Sequence, residues 1–289
     1  MKILVSTKHG PLNSKPIFEA FIHSLKSSGE QVFVDENIEA DVCVIWSVLW
    51  FGRMSGYRNI FHQYRNKNRP VVVLEVGGLR RNKSFKIGIN GVNRKADFAN
   101  QNFDSARWHK FDHEIKPWRD NGNEIIILGQ HDRSEQWAGM PPMSKWIEQQ
   151  ILEIRKHTDR PIHVRPHPRN QIGLNLGKFD NVFLKRPIFD RSTIDDTDFK
   201  KHLSNAFAIV NHSSNPAIES VLNGVPVFVS ADSLCYEVGN KDYSTLKNPI
   251  KPDREKWAHK ISYTEWFPDE IKSGLPWSRL KKRLKEKYI

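Results

Sequence analysis

The sequence predicts an α/β protein built from two Rossmann-like domains. Two observations support this fold class. Short apolar segments alternate with stretches of helical apolar spacing, and this alternation occurs twice along the chain. The chain has 289 residues, which is long for one ordinary domain and sufficient for two. Short buried strands separated by helices are typical of parallel sheets with helices on both faces.

The first half of the sequence contains the first alternation. We predict strands at 2–6, 31–34, 42–46 and 70–75, and helices at 15–27 and 58–64. In the first helix Ile17, Phe21 and Leu25 recur every four residues, which places them on one buried face. From 87 to 121 the pattern gives way to polar residues, so we predict an irregular stretch that leads to a domain boundary.

The second half repeats the pattern. The predicted strands lie at 124–128, 161–165, 182–184, 208–211 and 225–229, and the predicted helices at 142–156, 198–205 and 216–222. We therefore expect domains at 1–120 and 121–252. A helical tail at 253–289 is expected to pack across both domains.

The composition is basic, with 45 Lys and Arg against 33 Asp and Glu and a formal net charge of +12. Such a surplus favours polyanionic partners such as nucleic acid, an anionic membrane surface or a phosphorylated substrate, although it also serves solubility. We expect no stable membrane insertion, because no apolar run approaches about 18 residues. Cys43 and Cys235 lie in apolar runs and are predicted to be free thiols, which fits a cytoplasmic protein.

Polar residues follow the predicted strands of the second half, at the edge where doubly wound sheets bind ligands. The stretch 213–215 joins a strand to a helix that begins near Pro216, so its hydroxyls and N–H groups suit a phosphate. Glu219 lies about one turn into that helix and could accept hydrogen bonds from a ribose. Alternatively, Ser213 is a helix cap and Glu219 a solvated residue.

An Arg-Pro-His-Pro-Arg turn follows another strand at 165–169. Its two prolines restrict the backbone, so the side chains between them are presented rigidly. Arg165 and Arg169 could hold a phosphate, and His167 could donate to it. A structural turn with incidental charge is the alternative interpretation.

Several other chemistries lack their signatures. His109 and His113 have no Glu between them of the kind that zinc proteases carry, and the remaining histidines are dispersed, so we predict no metal site. The sequence contains neither a Walker loop nor a Gly-x-Gly-x-x-Gly motif, which argues against P-loop kinases and ordinary dehydrogenases. We accordingly expect no cofactor.

Together, these motifs resemble a known family. The Gln-His-Asp stretch at 130–132, the turn at 165–169, the Ser-Ser-Asn stretch with Glu219, and Gly-Val-Pro-Val at 224–227 resemble GT-B glycosyltransferases. The nearest members are the capsule polysaccharide and Kdo-type transferases. The resemblance covers about residues 124–230, whereas the first half matches only in its strand and helix pattern.

The resemblance implies two domains facing a cleft and a metal-independent transfer from a nucleotide sugar, for example a UDP-sugar. It assigns the donor to the second domain. The residues that it implies for donor binding are Gln130, Arg133, Arg165, His167, Arg169, His212, Ser213, Ser214, Asn215 and Glu219.

In this family the acceptor binds the first domain, and an inverting transfer needs one general base there. The candidates are Glu75, Asp35 and His9, which all lie near the ends of predicted strands. Glu75 comes first, because it ends a buried strand before two glycines. It could instead be paired with Arg80 or Arg81, and Asp35 could be a helix cap.

The compact size and basic charge resemble phage enzymes that attach sugars to hydroxymethylated bases in DNA. We therefore predict a DNA acceptor. The alternatives are an enzyme that builds a capsule or lipopolysaccharide glycan and a non-catalytic nucleic-acid-binding protein. The tail is predicted to contribute to polyanion binding through six cations: Arg279, Lys281, Lys282, Arg283, Lys285 and Lys287.

Overall fold

The computed structural model describes residues 1–170, 172–188 and 196–289, and only the backbone at 196 and 197. The chain divides into two compact units. Unit 1 comprises residues 1–112, 133–136 and 258–289, and unit 2 comprises residues 113–132 and 137–257. The segment predicted as a separate tail is therefore divided between the units at 257/258.

Eleven strands lie in the described part of the chain. Their bounds are β1 Lys2–Val5, β2 Gln31–Val34, β3 Val42–Trp46, β4 Val71–Val76, β5 Phe85–Ile89, β6 Glu124–Leu128, β7 Ile162–Arg165, β8 Val182–Leu184, β9 Ala206–Asn211, β10 Val227–Val229 and β11 Glu265–Trp266.

The described residues also contain nine α-helices. They are α1 Lys15–Ser27, α2 Tyr57–Asn66, α3 Ala106–His109, α4 Met143–Arg155, α5 Asp196–Leu203, α6 Pro216–Leu222, α7 Glu255–Ser262, α8 Pro268–Ser273 and α9 Leu275–Lys287.

Unit 1 contains a six-stranded sheet in the order β11-β5-β4-β3-β1-β2. The strands β1 to β4 are parallel, as their alternation with helices predicts. Two antiparallel strands extend the sheet, since β5 pairs with β4 and β11 pairs with β5. The prediction of an irregular stretch from 87 was wrong at its start, where β5 lies, and the helical tail contains a strand.

The core of unit 1 forms around β3, whose five residues are all buried. Phe21 of α1 is fully buried and meets Trp277 of α9 edge to face, with ring centroids 6.0 Å apart. Burying an aromatic side chain of this size contributes about 1.5–3 kcal/mol. The last helix is thus part of the core of unit 1.

Unit 2 contains a five-stranded parallel sheet in the order β10-β9-β6-β7-β8. Its strands are short and apolar, with Ile125, Ile127 and Val210 packed under α4. Sheets of this kind carry their polar residues at the carboxyl ends of the strands. Both units are Rossmann-like, which confirms the predicted fold class.

Candidate functional site

The predicted donor-binding residues of unit 2 converge because of the strand order. The strands β9, β6 and β7 are neighbours, so the loops that follow them start side by side. Ser213 follows β9, Gln130 follows β6 and His167 follows β7. The sequence predicts these loops as a ligand-binding edge, and the structure brings them together.

Gln130 links the three loops through hydrogen bonds. Its side-chain carbonyl accepts from the N–H of Ser213 at 3.2 Å and from the Ser213 hydroxyl at 3.3 Å. Its backbone carbonyl accepts from the side-chain amide of Asn170 at 3.2 Å. Gln130 is buried, so these bonds are shielded from water. Through these hydrogen bonds, Gln130 fixes the three loops relative to one another.

The two residues that precede the Ser-Ser stretch, Asn211 and His212, hold it in place. The ring of His212 packs against Trp137 with centroids 4.9 Å apart, and its Nδ1 lies 3.0 Å from the hydroxyl of Ser213. Asn211 donates from its side-chain amide to the hydroxyl oxygen of Ser214 at 2.6 Å. Because Ser214 accepts this bond, its own hydroxyl hydrogen is available to a ligand oxygen. Ser214 is half-buried at the edge of the sheet.

The histidine of the proline-rich turn has a defined proton position. The backbone N–H of Arg169 donates to Nδ1 of His167 at 3.1 Å. The neutral imidazole therefore carries its hydrogen on Nε2. The ring of His131 lies edge-on to the same imidazole, with centroids 5.6 Å apart. His167 is half-buried and Arg169 is exposed, so both lie within reach of a ligand.

Arg165 has a different environment from Arg169. Its guanidinium is buried, lies 2.7 Å from the carboxylate of Asp198 on α5 and lies 3.1 Å from Nδ1 of His202. Burial acts to raise the pKa of Asp198, but the hydrogen bond and charge of Arg165 outweigh it, and the pKa lies below its usual value. A phosphate clamp by Arg165 would require this buried pair to break.

The remaining predicted donor residues divide between the units. Asn215 and Glu219 are half-buried at the start of α6, beside the Ser-Ser stretch. The helix α6 spans the seven residues that the sequence predicts, so its dipole contribution is that of a short helix. Arg133 belongs to unit 1, where its guanidinium lies 5.4 Å from the ring of Phe51. The assignment of Arg133 to the donor site stays a prediction.

Glu75, the first candidate for the base, lies in a strained and polar part of unit 1. Its carboxylate accepts from the hydroxyl of Ser47 at 2.5 Å and from the N–H of Val76 at 2.8 Å. Ser47 follows β3 with a φ of 62°, a left-handed conformation that is uncommon for a residue with a side chain. Burial raises the pKa of Glu75, and the bond from Ser47 only partly offsets this effect.

Asp35 and His9 lie at the neighbouring strands β2 and β1. The carboxylate of Asp35 accepts from the N–H groups of Thr7 at 2.7 Å and Lys8 at 3.2 Å, and from the Thr7 hydroxyl. It therefore ties the β1–α1 loop to β2. The ring of His9 stands edge-on to Tyr57 at 5.4 Å, and a Cβ on Gly56 would lie 2.4 Å from it. β3 separates β4, which carries Glu75, from β1.

Sequence reasoning missed four residues at these edges. Asn170 and Asn211 orient the donor-site candidates. Asn211 ends β9 and Asn170 follows β7, and this position at a strand end is the one signal that could have identified them. His131 and Asp132 were quoted in the Gln-His-Asp stretch without a role, and their Nδ1 and Oδ1 atoms lie 3.9 Å apart. Two kinds of feature are absent from the described residues 1–170, 172–188 and 196–289. No group of His, Cys, Asp or Glu there has metal-site geometry, and no helix there is long and apolar enough to cross a membrane.

Comparisons with known proteins agree with this architecture. No protein-family model and no curated protein matches the sequence. Among solved structures, the β-Kdo 2,4 transferase KpsC of Thermosulfurimonas dismutans is 13% identical, covering 91% of this chain and 90% of that chain, with a TM-score of 0.54. The β-Kdo 2,7 transferase KpsC of the same organism is 14% identical, covering 97% of this chain and 100% of that chain, with a TM-score of 0.54. The likeness is one of fold, and the chain has the two-domain GT-B fold.

Proposed function

We propose that this chain is a nucleotide-sugar-dependent glycosyltransferase whose donor binds to unit 2. The observation that carries the proposal is the meeting of Gln130, His167 and Ser213 at three neighbouring strand ends. That edge of a doubly wound sheet binds ligands as a rule. The GT-B fold, shared with two sugar transferases, supports the same conclusion.

Each polar group of this edge suits one part of a nucleotide sugar such as a UDP-sugar. The Ser214 hydroxyl and Nε2 of His167 donate to phosphate oxygens, and Arg169 supplies positive charge. Glu219 accepts hydrogen bonds from the ribose hydroxyls. Hydrogen bonds to charged groups are among the stronger ones, so phosphate and carboxylate contacts dominate the affinity. The proposal requires no metal ion.

Glu75 is the proposed general base. It removes the proton of an acceptor hydroxyl while that oxygen bonds to the anomeric carbon, and the bond from this carbon to the donor phosphate breaks. The nucleotide leaves with the bonding electrons, and His167 stabilises its phosphate. A carboxylate whose pKa is raised by burial is better matched to proton transfer near neutral pH than an ordinary glutamate. Asp35 and His9 are the alternative bases.

The acceptor that the comparisons favour is a glycan of the capsule or lipopolysaccharide type, because both structural relatives are β-Kdo transferases. A hydroxymethylated base in DNA is the second candidate. The compact size of the chain and its net charge of +12 support it. A non-catalytic protein that binds nucleic acid is the third.

A transfer assay with radiolabelled nucleotide sugars separates these candidates. The acceptors are Kdo-terminated oligosaccharides and duplex DNA that contains hydroxymethylcytosine. Label in the oligosaccharide supports the glycan enzyme, label in the DNA supports the second candidate, and DNA binding without transfer supports the third. Glu75→Gln and Asp35→Asn are assayed in parallel. Normal turnover of Glu75→Gln with loss of turnover in Asp35→Asn would move the role of the base from Glu75 to Asp35.

A further inference from the structure

Lys86 is a buried lysine that the proposed reaction does not yet use. It lies on β5, directly opposite Glu75 of β4 on one side and Glu265 of β11 on the other. Residues directly opposite each other in antiparallel strands carry their side chains on the same face of the sheet. Lys86 is 3% exposed and Glu265 is 0% exposed. A buried ammonium needs negative charge nearby, and Glu75 and Glu265 are the carboxylates that the sheet register places on either side of Lys86.

Glu265 is fixed in place by the loop that follows Glu75. Its carboxylate accepts from the N–H of Gly78 at 2.6 Å, from the N–H of Leu79 at 3.1 Å and from the hydroxyl of Ser84 at 2.7 Å. A Cβ on Gly77 would lie 2.2 Å from the same carboxylate, so the chain passes too close for any side chain there. The strand end that carries Glu75 is therefore built around Glu265.

We propose that Lys86, anchored by Glu265, is a positioning residue that holds the carboxylate of Glu75 in place and in its charged form. This inference rests on the proposed role of Glu75 as the base. Three side chains act on Glu75 from the elements around it: the Ser47 hydroxyl after β3, Arg81 of the loop 77–84 and Lys86 of β5. Glu265 of β11 lies on the far side of Lys86, and a negative charge there would act on Glu75 with the opposite sign. In the register of the sheet, Lys86 thus lies between the two glutamates.

The charges act on Glu75 in opposite directions. Burial raises the pKa of Glu75, and the Ser47 hydroxyl, the Val76 N–H, Lys86 and Arg81 all act to lower it. Removing the Lys86 ammonium should therefore raise the pKa further, because a cation favours the charged carboxylate. Removing the negative charge of Glu265 should lower it. Substitution of Lys86 and substitution of Glu265 should therefore shift the pKa of Glu75 in opposite directions.

The first experiment measures the pH dependence of kcat/KM. In Lys86→Met we expect the acidic limb of the kcat/KM profile to shift to higher pH by about one unit. The KM for the donor stays the same, and Lys86→Arg returns the limb toward its original position. Lys83→Met removes an exposed lysine of the loop 77–84, just before β5, and serves as the matched control. A limb that moves equally in both Met variants, or in neither, overturns the inference.

The second experiment does not depend on activity. The titration of Glu75 is followed by NMR of the protein labelled with carbon-13 at the glutamate carboxyl, with Glu75→Gln identifying the signal. We expect an upward shift of the midpoint in Lys86→Met and a downward shift in Glu265→Gln. Unchanged midpoints in both variants, or shifts of the same sign, refute the positioning role. Full turnover of Glu75→Gln would instead refute the base, so the two failures are distinguishable.

Discussion

The guanidinium of Arg107 forms a bidentate pair with the carboxylate of Glu270, with nitrogen to oxygen distances of 2.6 Å and 2.9 Å. Both side chains are buried, and the guanidinium also lies 3.8 Å from the ring centroid of Trp266. The pair connects the short helix α3 to α8 within unit 1. It is one contact that holds the polar stretch after β5, which has little regular structure apart from α3, against the rest of unit 1.

Arg107→Met should destabilise unit 1 strongly. The substitution leaves the Glu270 carboxylate buried without its bidentate partner, and breaking a buried pair costs about 3–5 kcal/mol. Lys110, which lies 3.0 Å from the same carboxylate, remains, so we expect a value near the lower end. Urea unfolding measures the change. Lys272→Met, at an exposed lysine of α8, should change the free energy of unfolding by less than about 0.5 kcal/mol.

The same pair predicts how stability depends on pH. Burial acts to raise the pKa of Glu270, but the hydrogen bonds from Arg107 outweigh it, and the pKa lies below its usual value. A carboxyl whose pKa is lowered on folding stabilises the protein above its unfolded pKa of about 4.3, and this contribution disappears as the pH falls through the folded value. The stability difference between wild type and Arg107→Met should therefore shrink below about pH 4. A difference that stays constant from pH 7 to pH 3 would contradict this account.

The sequence predicted the parts of the fold that follow local rules. The parallel strands of both units come from short apolar runs, and the meeting of Gln130, His167 and Ser213 follows from strand order in doubly wound sheets. β5 was missed because Lys86 and Gly88 interrupt its apolar run, and β11 because two residues show no periodicity.

The finer features of the site depend on tertiary contacts that no local pattern encodes. The left-handed backbone of Ser47 and its bond to Glu75 arise only where β3 and β4 end together. Arg165 and Arg169 look equivalent in the motif, yet α5 approaches only Arg165. A sequence motif identifies the residue types, whereas the partner of each charge is decided by elements distant in the chain.

The two arginines of the turn should therefore behave differently. Arg169→Met removes an exposed cation beside His167, so we expect nucleotide-sugar affinity to fall about tenfold with the free energy of unfolding unchanged. Arg165→Met leaves Asp198 buried without its partner, so we expect lower stability. Calorimetric titration and urea unfolding of both variants measure the two effects. The reverse pattern would show that Arg165 contacts the phosphate after all.

Glu219 should contribute to donor binding through the ribose. We expect Glu219→Ala to weaken nucleotide-sugar binding by about 1–3 kcal/mol, because hydrogen bonds to a charged acceptor are lost. Calorimetry measures the change, and Gln149→Ala, on the exposed face of α4, is the control. Unchanged affinity in a folded Glu219→Ala variant would remove this residue from the site.

The basic tail is less available to a polyanion than its composition predicts. Lys281 pairs with buried Glu30 at 2.5 Å, and Arg283 pairs with Asp97 at 2.6 Å. Arg279 donates to the backbone carbonyl of Ala99 at 3.0 Å. These contacts use tail cations to attach α9 to the rest of unit 1.

Lys282 and Lys285 are exposed on α9 and provide the test of the tail. We expect the double substitution Lys282→Gln and Lys285→Gln to leave the salt dependence of duplex DNA binding unchanged, because two lysines alone make a weak polyanion site once the other tail cations are paired within unit 1. The measurement is the slope of log affinity against log salt concentration. Each phosphate contact contributes about 0.9 to this slope, because binding releases condensed counterions. A slope that becomes shallower by about 2 in the double variant would show that the tail binds DNA and would strengthen the DNA acceptor over the glycan.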